Sequence, residues 1–111
     1  MTVSLDHFFK VDIRKGLVID AKDFLEARKP AIKLWIDFGN EIGVKKSSAQ
    51  ITDLYSPENL IGKPVVAVIN MPPLQVGKFI SEVLTLGFPD KEGKIILLEP
   101  EKNIPNGSRL L

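Results

Sequence analysis

The sequence predicts a mainly β fold: a small five-stranded barrel with a short N-terminal helix and a C-terminal extension. Three observations carry that expectation. Short apolar or alternating runs recur along the chain, each bounded by turn residues. One compact helix signal, "YSPENLIGK", falls between the third and fourth of these runs. The chain has 111 residues, 44% of them apolar, which suits one domain over 1–111 with a single small core.

The elements follow in order. Ser4 is placed to cap a short helix, "LDHFFK", on which Leu5, Phe8 and Phe9 share one side. A helix of one or two turns is not stable alone, so this stripe is expected to dock. "VDIRKGLVIDA" reads as a first strand, with Gly16 as a candidate bulge or bend. "DFLEARKPAIK" reads as a loop, because Pro30 interrupts any helical pattern. "IKLWIDF" alternates, with Leu34, Ile36 and Phe38 on one face and Lys33, Trp35 and Asp37 on the other. "GNEIG" is a turn, and "VKKSSAQIT" is a third strand made unusually of polar residues. In "YSPENLIGK", Ser56 is the N-cap, Pro57 the first helical residue and Gly62 the terminator. "PVVAVIN" reads as a strand buried on both faces, "MPPLQVGK" as a loop, and "FISEVLTLGF" and "KIILLEP" as two further strands around the turn "PDKEG". "NIPNGSRLL" is a tail with turn chemistry at Asn106–Gly107. A helix interposed between the third and fourth strands is the layout of an oligonucleotide/oligosaccharide-binding (OB) barrel.

Composition narrows the function. The formal net charge is +1 and the pI about 7.9, well short of a strongly basic nucleic-acid footprint. Cysteine is absent, which removes disulfides and thiolate chemistry and fits a reducing compartment. The N-terminus carries no long apolar run, and no stretch approaches a membrane span, so a cytoplasmic chain without stable membrane insertion is expected. The one histidine, His7, lies on the N-terminal helix, and no nucleophile elbow, phosphate loop or metal-ligand cluster appears. The sequence offers no catalytic residue, no metal site and no cofactor site.

Two stretches point to binding. Alternation puts Lys46, Ser48 and Gln50 on the outer face of the third strand, with Ser47, Ala49 and Ile51 inward. Pairing across the "GNEIG" turn places Lys33, Trp35 and Asp37 on that same outer face. The loop "NMPPLQVGKFIS" is unusually apolar, with Met71 and Phe79 set among Asn70, Lys78 and Ser81. Glu82 sits inside an otherwise apolar run, where burial would call for a partner, Lys46 or Lys78. Together Trp35, Lys46, Ser48, Gln50, Asn70, Met71, Phe79, Ser81 and Glu82 make a candidate peptide-binding surface. Lys33, Lys45, Lys46 and Lys78 are the candidates for an alternative RNA-binding surface. Leu5, Phe8, Phe9, Leu110 and Leu111 are candidates for a dimer interface.

"FFKVDIRKG", "KLWIDFG" and "YSPENLIGKPVVAVIN" resemble the tRNA-binding domain family. "KKSSAQIT", "NMPP", "SEVLTLG" and "PNGSRLL" resemble one of its branches, the CsaA-type export-associated chaperones. The resemblance spans essentially the whole chain. It implies an OB barrel, a homodimer built with the terminal segments, and binding of unfolded preproteins and of the translocation ATPase SecA. tRNA is the alternative partner. Members that bind tRNA carry a loop rich in Arg and Lys after the fourth strand, and an arginine followed by "VSG" in the third. Here the loop reads "NMPPLQVGKFIS", Lys45 takes the arginine position, and "SSAQ" follows. Hydroxyl, amide and apolar groups thus replace point charge, which suits a polypeptide better than a phosphate backbone.

Overall fold

The computed structural model describes every residue from Met1 to Leu111. After α1 (Leu5–Phe8) come three consecutive strands, β1 (Ile13–Asp23), β2 (Ile32–Asp37) and β3 (Val44–Ala49). α2 (Pro57–Leu60) precedes β4 (Pro64–Val68), β5 (Leu74–Val76), β6 (Phe79–Ser81), β7 (Leu84–Thr85), β8 (Gly87–Pro89) and β9 (Ile95–Leu97). Five of them form one antiparallel sheet in the order β3-β2-β1-β4-β7, while β5–β6 and β8–β9 are separate hairpins. The sheet curls until its ends meet. Glu82 and Val83, between β6 and β7, donate their backbone N–H groups to the Lys46 carbonyl at 2.8 and 3.3 Å. The result is a nearly closed five-stranded barrel of OB type.

The alternation read in β2 is realised: Ile32, Leu34 and Ile36 are fully buried, and Phe38 follows them inward. With Val18, Leu60, Val65 and Ala67 they fill the barrel. Each large aliphatic side chain buried this way contributes about 1.5–3 kcal/mol. Ser47 is buried among them and fully bonded: its hydroxyl donates to the Val83 carbonyl at 3.1 Å and accepts from Thr85 Oγ1 at 2.8 Å. α2 starts as expected, with Pro57 in the first turn and Asn59 Oδ1 accepting the Ser56 N–H at 3.0 Å. Gly62 closes it in the left-handed region, at φ +86°.

Several expectations are corrected. The bulge in β1 falls between Val18 and Asp20, not at Gly16. Gly16 is required for a different reason: a Cβ there would collide with Ile36 and lie 2.8 Å from Phe38. β4 is not covered on both faces, because Val66 is only half-buried beside the C-terminal segment. "FISEVLTLGF" is not one strand but three short ones, broken at Glu82–Val83 and at Leu86. The apolar loop contains a strand of its own, β5, which pairs with β6 through Gly77–Lys78. Gly77 has φ +61° at the first central position, as a type II′ turn needs.

A second, smaller cluster lies outside the barrel. Phe24, Ala31 and Phe79 are buried together, with Trp35, Val76 and Ala27 packed against them. Phe79 meets Phe24 and Trp35 edge-on, at centroid distances of 5.5 and 5.9 Å. This cluster ties the loop after β1 and the β5–β6 hairpin down onto the outer face of β2.

The chain ends are joined through β1. The Lys15 N–H donates to Ser108 O, the Gly107 N–H to Lys15 O and the Leu110 N–H to Ile13 O, at 2.8–2.9 Å. Asp12 links both terminal segments, lying 2.7 Å from Arg14 Nε and 3.5 Å from Arg109 Nε. The Arg14 hydrogen bond holds the Asp12 carboxyl below its ordinary range, against the opposing effect of burial.

Candidate functional site

The site is built on the outer face of β2 and β3. Register sets Lys33 opposite Ser48 and Trp35 opposite Lys46, while β1 adds Lys22 beside Lys33. The lysines lie over rings. Lys22 Nζ is 5.5 Å from the Trp35 centroid, Lys33 Nζ 4.6 Å from Phe24, and Lys46 Nζ 5.2 Å from Phe79. Each such contact contributes about 0.5–1 kcal/mol near solvent. Lys33 also pairs with Glu26 at 3.3 Å.

Beside this face runs a groove of about 650 Å³. One bank is the loop after β1, with Glu26, Ala27, Arg28, Lys29 and Ala31. The other is the β5–β6 hairpin, with Leu74, Gln75, Val76, Gly77 and Ser81. Ser48 and Gln50 form the floor. A smaller hollow of about 160 Å³ continues it, lined by Met71, Pro72, Val83 and Leu84 and sharing Ser48, Leu74 and Ser81. Apolar side chains lie on both banks, Ala27 and Ala31 on one and Leu74 and Val76 on the other, while the floor is polar.

The residues singled out from sequence fall into two overlapping groups. Ser48, Gln50, Met71, Ser81 and Glu82 line the trough, the last two while also bonded within the fold. These two and the others are engaged in holding the fold. Asn70 bridges the N-terminal segment to the end of β4: its Oδ1 accepts the Asp12 N–H at 2.9 Å, and its Nδ2 donates to Lys10 O at 2.7 Å. Ser81 Oγ accepts the Ser48 N–H at 2.9 Å. Glu82 is not ion-paired with Lys46 or Lys78. Its Oε1 accepts the Lys46 backbone N–H at 3.0 Å. Phe79 is only 8% exposed, and its ring centres the second cluster rather than facing solvent. Trp35 is half-buried against that ring.

The four lysines considered for RNA are not one patch. Lys33 and Lys46 share the aromatic face. Lys45 has the opposite parity in β3, and Lys78 sits in the hairpin turn. Arg28, Lys29 and Gln75 line the groove but were passed over in the sequence, where a charged loop next to Pro30 looks like any solvated connection. Leu5, Phe8, Phe9, Leu110 and Leu111 are all exposed, Phe8 and Phe9 by about 40%. Arg109 Nη2 donates to Phe9 O at 2.7 Å, which sets the tail beside the end of α1.

Residues 13–109 match the family model described as "Putative tRNA binding domain". The chain belongs to that family. Among solved structures it is similar to the chaperone CsaA from Bacillus anthracis str. Ames, at 49% identity and TM-score 0.93 over the whole of both chains. It is also similar to a CsaA chaperone from Picrophilus torridus, at 46% identity and TM-score 0.91, over 99% of this chain and all of that one. A MetRS-related protein from Pyrococcus horikoshii follows at 29% identity and TM-score 0.88, covering 100% of this chain and 99% of that one. Among curated relatives, the methionine–tRNA ligase of Archaeoglobus fulgidus is 37% identical over 108 residues, 97% of this chain. The chain spans only 16% of that ligase's length. The family members it resembles therefore include both chaperones and parts of tRNA-handling enzymes. No helix is long and apolar enough to cross a membrane.

Proposed function

We propose that this chain is a chaperone-like binder of unfolded, export-destined polypeptides and of SecA, acting in the cytoplasm as a homodimer. The observation that carries this reading is the trough: apolar side chains of Leu74, Val76 and Met71, a polar floor with an unengaged glutamine, and only two cations, Arg28 and Lys29. An unfolded polypeptide offers apolar side chains and backbone amides in just that combination. Met71 adapts its shape to different side chains, which helps a site accept many sequences. The likeness to CsaA chaperones at 46–49% identity supports the same reading. The exposed stripe of Leu5, Phe8 and Phe9, with Leu110 close by, supports the dimer, because such a patch is poorly tolerated in water.

tRNA binding is the second reading, favoured by the family model and by the lysines on the aromatic face. It ranks second because those rings are packed on one another and covered by the chain's own lysines, so they offer bases no free stacking platform.

The test is a double substitution, Gln50→Ala with Met71→Ala, measured against an unfolded preprotein. Both side chains are exposed, so the fold should stay within about 0.5 kcal/mol of the parent. Affinity should fall by about 1–3 kcal/mol, as truncation of interface anchors does. Unchanged affinity in a folded double variant would remove the trough as the client site.

A further inference from the structure

We infer that the trough takes its client as an added β-strand, hydrogen-bonded to the open edge that continues from the end of β3 at Gln50. This rests on the polypeptide-binding reading and specifies how the backbone is held.

β3 is the end strand of the five-stranded sheet. In an antiparallel pairing, alternate residues direct their backbone N–H and C=O away from the neighbouring strand. On β3 these are Lys46 and Ser48, and their outward N–H groups are met in an unusual way. Side chains take the place of a partner strand's carbonyls: Glu82 Oε1 accepts from Lys46 N at 3.0 Å, and Ser81 Oγ accepts from Ser48 N at 2.9 Å. The seal then stops. Gln50 is next in the alternation, and neither its N–H nor its side-chain amide has any partner. That residue is exposed and lies on the floor of the groove of about 650 Å³.

An open edge beside a trough is the geometry of strand addition, in which main-chain hydrogen bonds give affinity without reading sequence. Alternate side chains of an added strand point to opposite sides. One set would face Leu74 and Val76 on the hairpin, and the other would face solvent above the loop after β1. An exposed strand edge is a liability unless covered. Here Ser81 and Glu82 cover the N–H groups as far as Ser48 and leave the groove floor open at Gln50. A folded domain keeps most of its extended segments paired or covered, so the device also favours unfolded chains.

The test uses a capped synthetic peptide of alternating Leu and Ser, about ten residues long and spanning roughly 33 Å when extended at ~3.3 Å per residue. Binding is measured by fluorescence anisotropy, and competition with an unfolded preprotein places it in the same site. Single backbone N-methyl groups are then moved along the peptide. Because an added strand donates from every second residue, methylation in one phase should weaken binding about tenfold, and in the other phase less than about twofold. Hydrogen exchange at the Gln50 amide should be fast in the free protein and at least about tenfold slower with saturating peptide. If the peptide competes with preprotein but methylation shows no alternation and Gln50 stays unprotected, strand addition is refuted while the polypeptide site stands. If the peptide and the preprotein both fail to bind, the polypeptide reading falls, and strand addition with it.

Discussion

Removal of the Glu82 carboxylate should open the seam of the barrel. Glu82 Oε1 accepts the Lys46 backbone N–H at 3.0 Å in a partly buried setting. Glu82→Ala leaves that donor without a partner, and an orphaned buried donor costs about 1–3 kcal/mol. A charged acceptor puts the effect toward the upper half of that range. Taking about 2 kcal/mol, and an unfolding entropy near 2.1 cal/mol/K per residue, the melting temperature should fall by about 8–9 °C. Glu82→Gln retains a carbonyl oxygen at nearly the same place and should recover more than half of the loss. Thermal melts of the three proteins give the magnitudes. Amide exchange at Lys46 gives the location, accelerating in Glu82→Ala and little in Glu82→Gln. A Glu82→Ala protein within about 0.5 kcal/mol of the parent would show that the carboxylate does not hold the seam, and would return Glu82 to the pool of ligand-binding residues.

Two further outcomes follow from the terminal segments. Phe8→Ala, at a ring about 40% exposed, packed edge-on against Phe9 and outside the buried core, should weaken self-association by about 1–3 kcal/mol while leaving the barrel folded; sedimentation across a concentration series reads it, and a parent that is monomeric at micromolar concentration would contradict the dimer. Asp12 has its carboxyl held down by Arg14, so its contribution to stability is fully present above the unfolded value of about 3.9 and is lost as pH falls through the lower folded value. Below about pH 4 the join between Phe9, Arg14 and Arg109 should therefore loosen, seen as faster exchange at the Leu110 amide, and Asp12→Asn should show fast exchange there already at neutral pH.

Local patterns foretold the elements whose stability is local or whose face is clear. β2 was legible because strict alternation leaves one way to bury Leu34 and Ile36. α2 was legible because Ser56, Pro57 and Gly62 each have a positional meaning. The loop after β4 misled because Pro72 and Pro73 argue against strand, while the short hairpin beyond them depends on Gly77 and on a partner strand three residues away. The roles of Asn70, Ser81 and Glu82 were not legible. Their bonds reach across 33 to 60 residues to backbone groups, and neither periodicity nor residue type reveals which amides a fold leaves to be satisfied. Phe79 misled for the same reason: an apolar residue next to a loop looks available, but Phe24 and Trp35 close around it. Ser48 and Gln50 were legible as outward residues, since parity alone places them there.

The most direct test of the central claim is a paired titration of one unfolded preprotein and of bulk tRNA against this chain, repeated across a salt series. With Arg28 and Lys29 as the only cations lining the groove and hydroxyl, amide and apolar groups making up most of the rest, preprotein binding should change little between roughly 0.05 and 0.2 M salt, while tRNA binding should be weak and fade by roughly 0.2 M, as counterion release requires. Tight tRNA binding that survives that salt, together with no measurable preprotein binding, would contradict the polypeptide reading and make RNA the ligand.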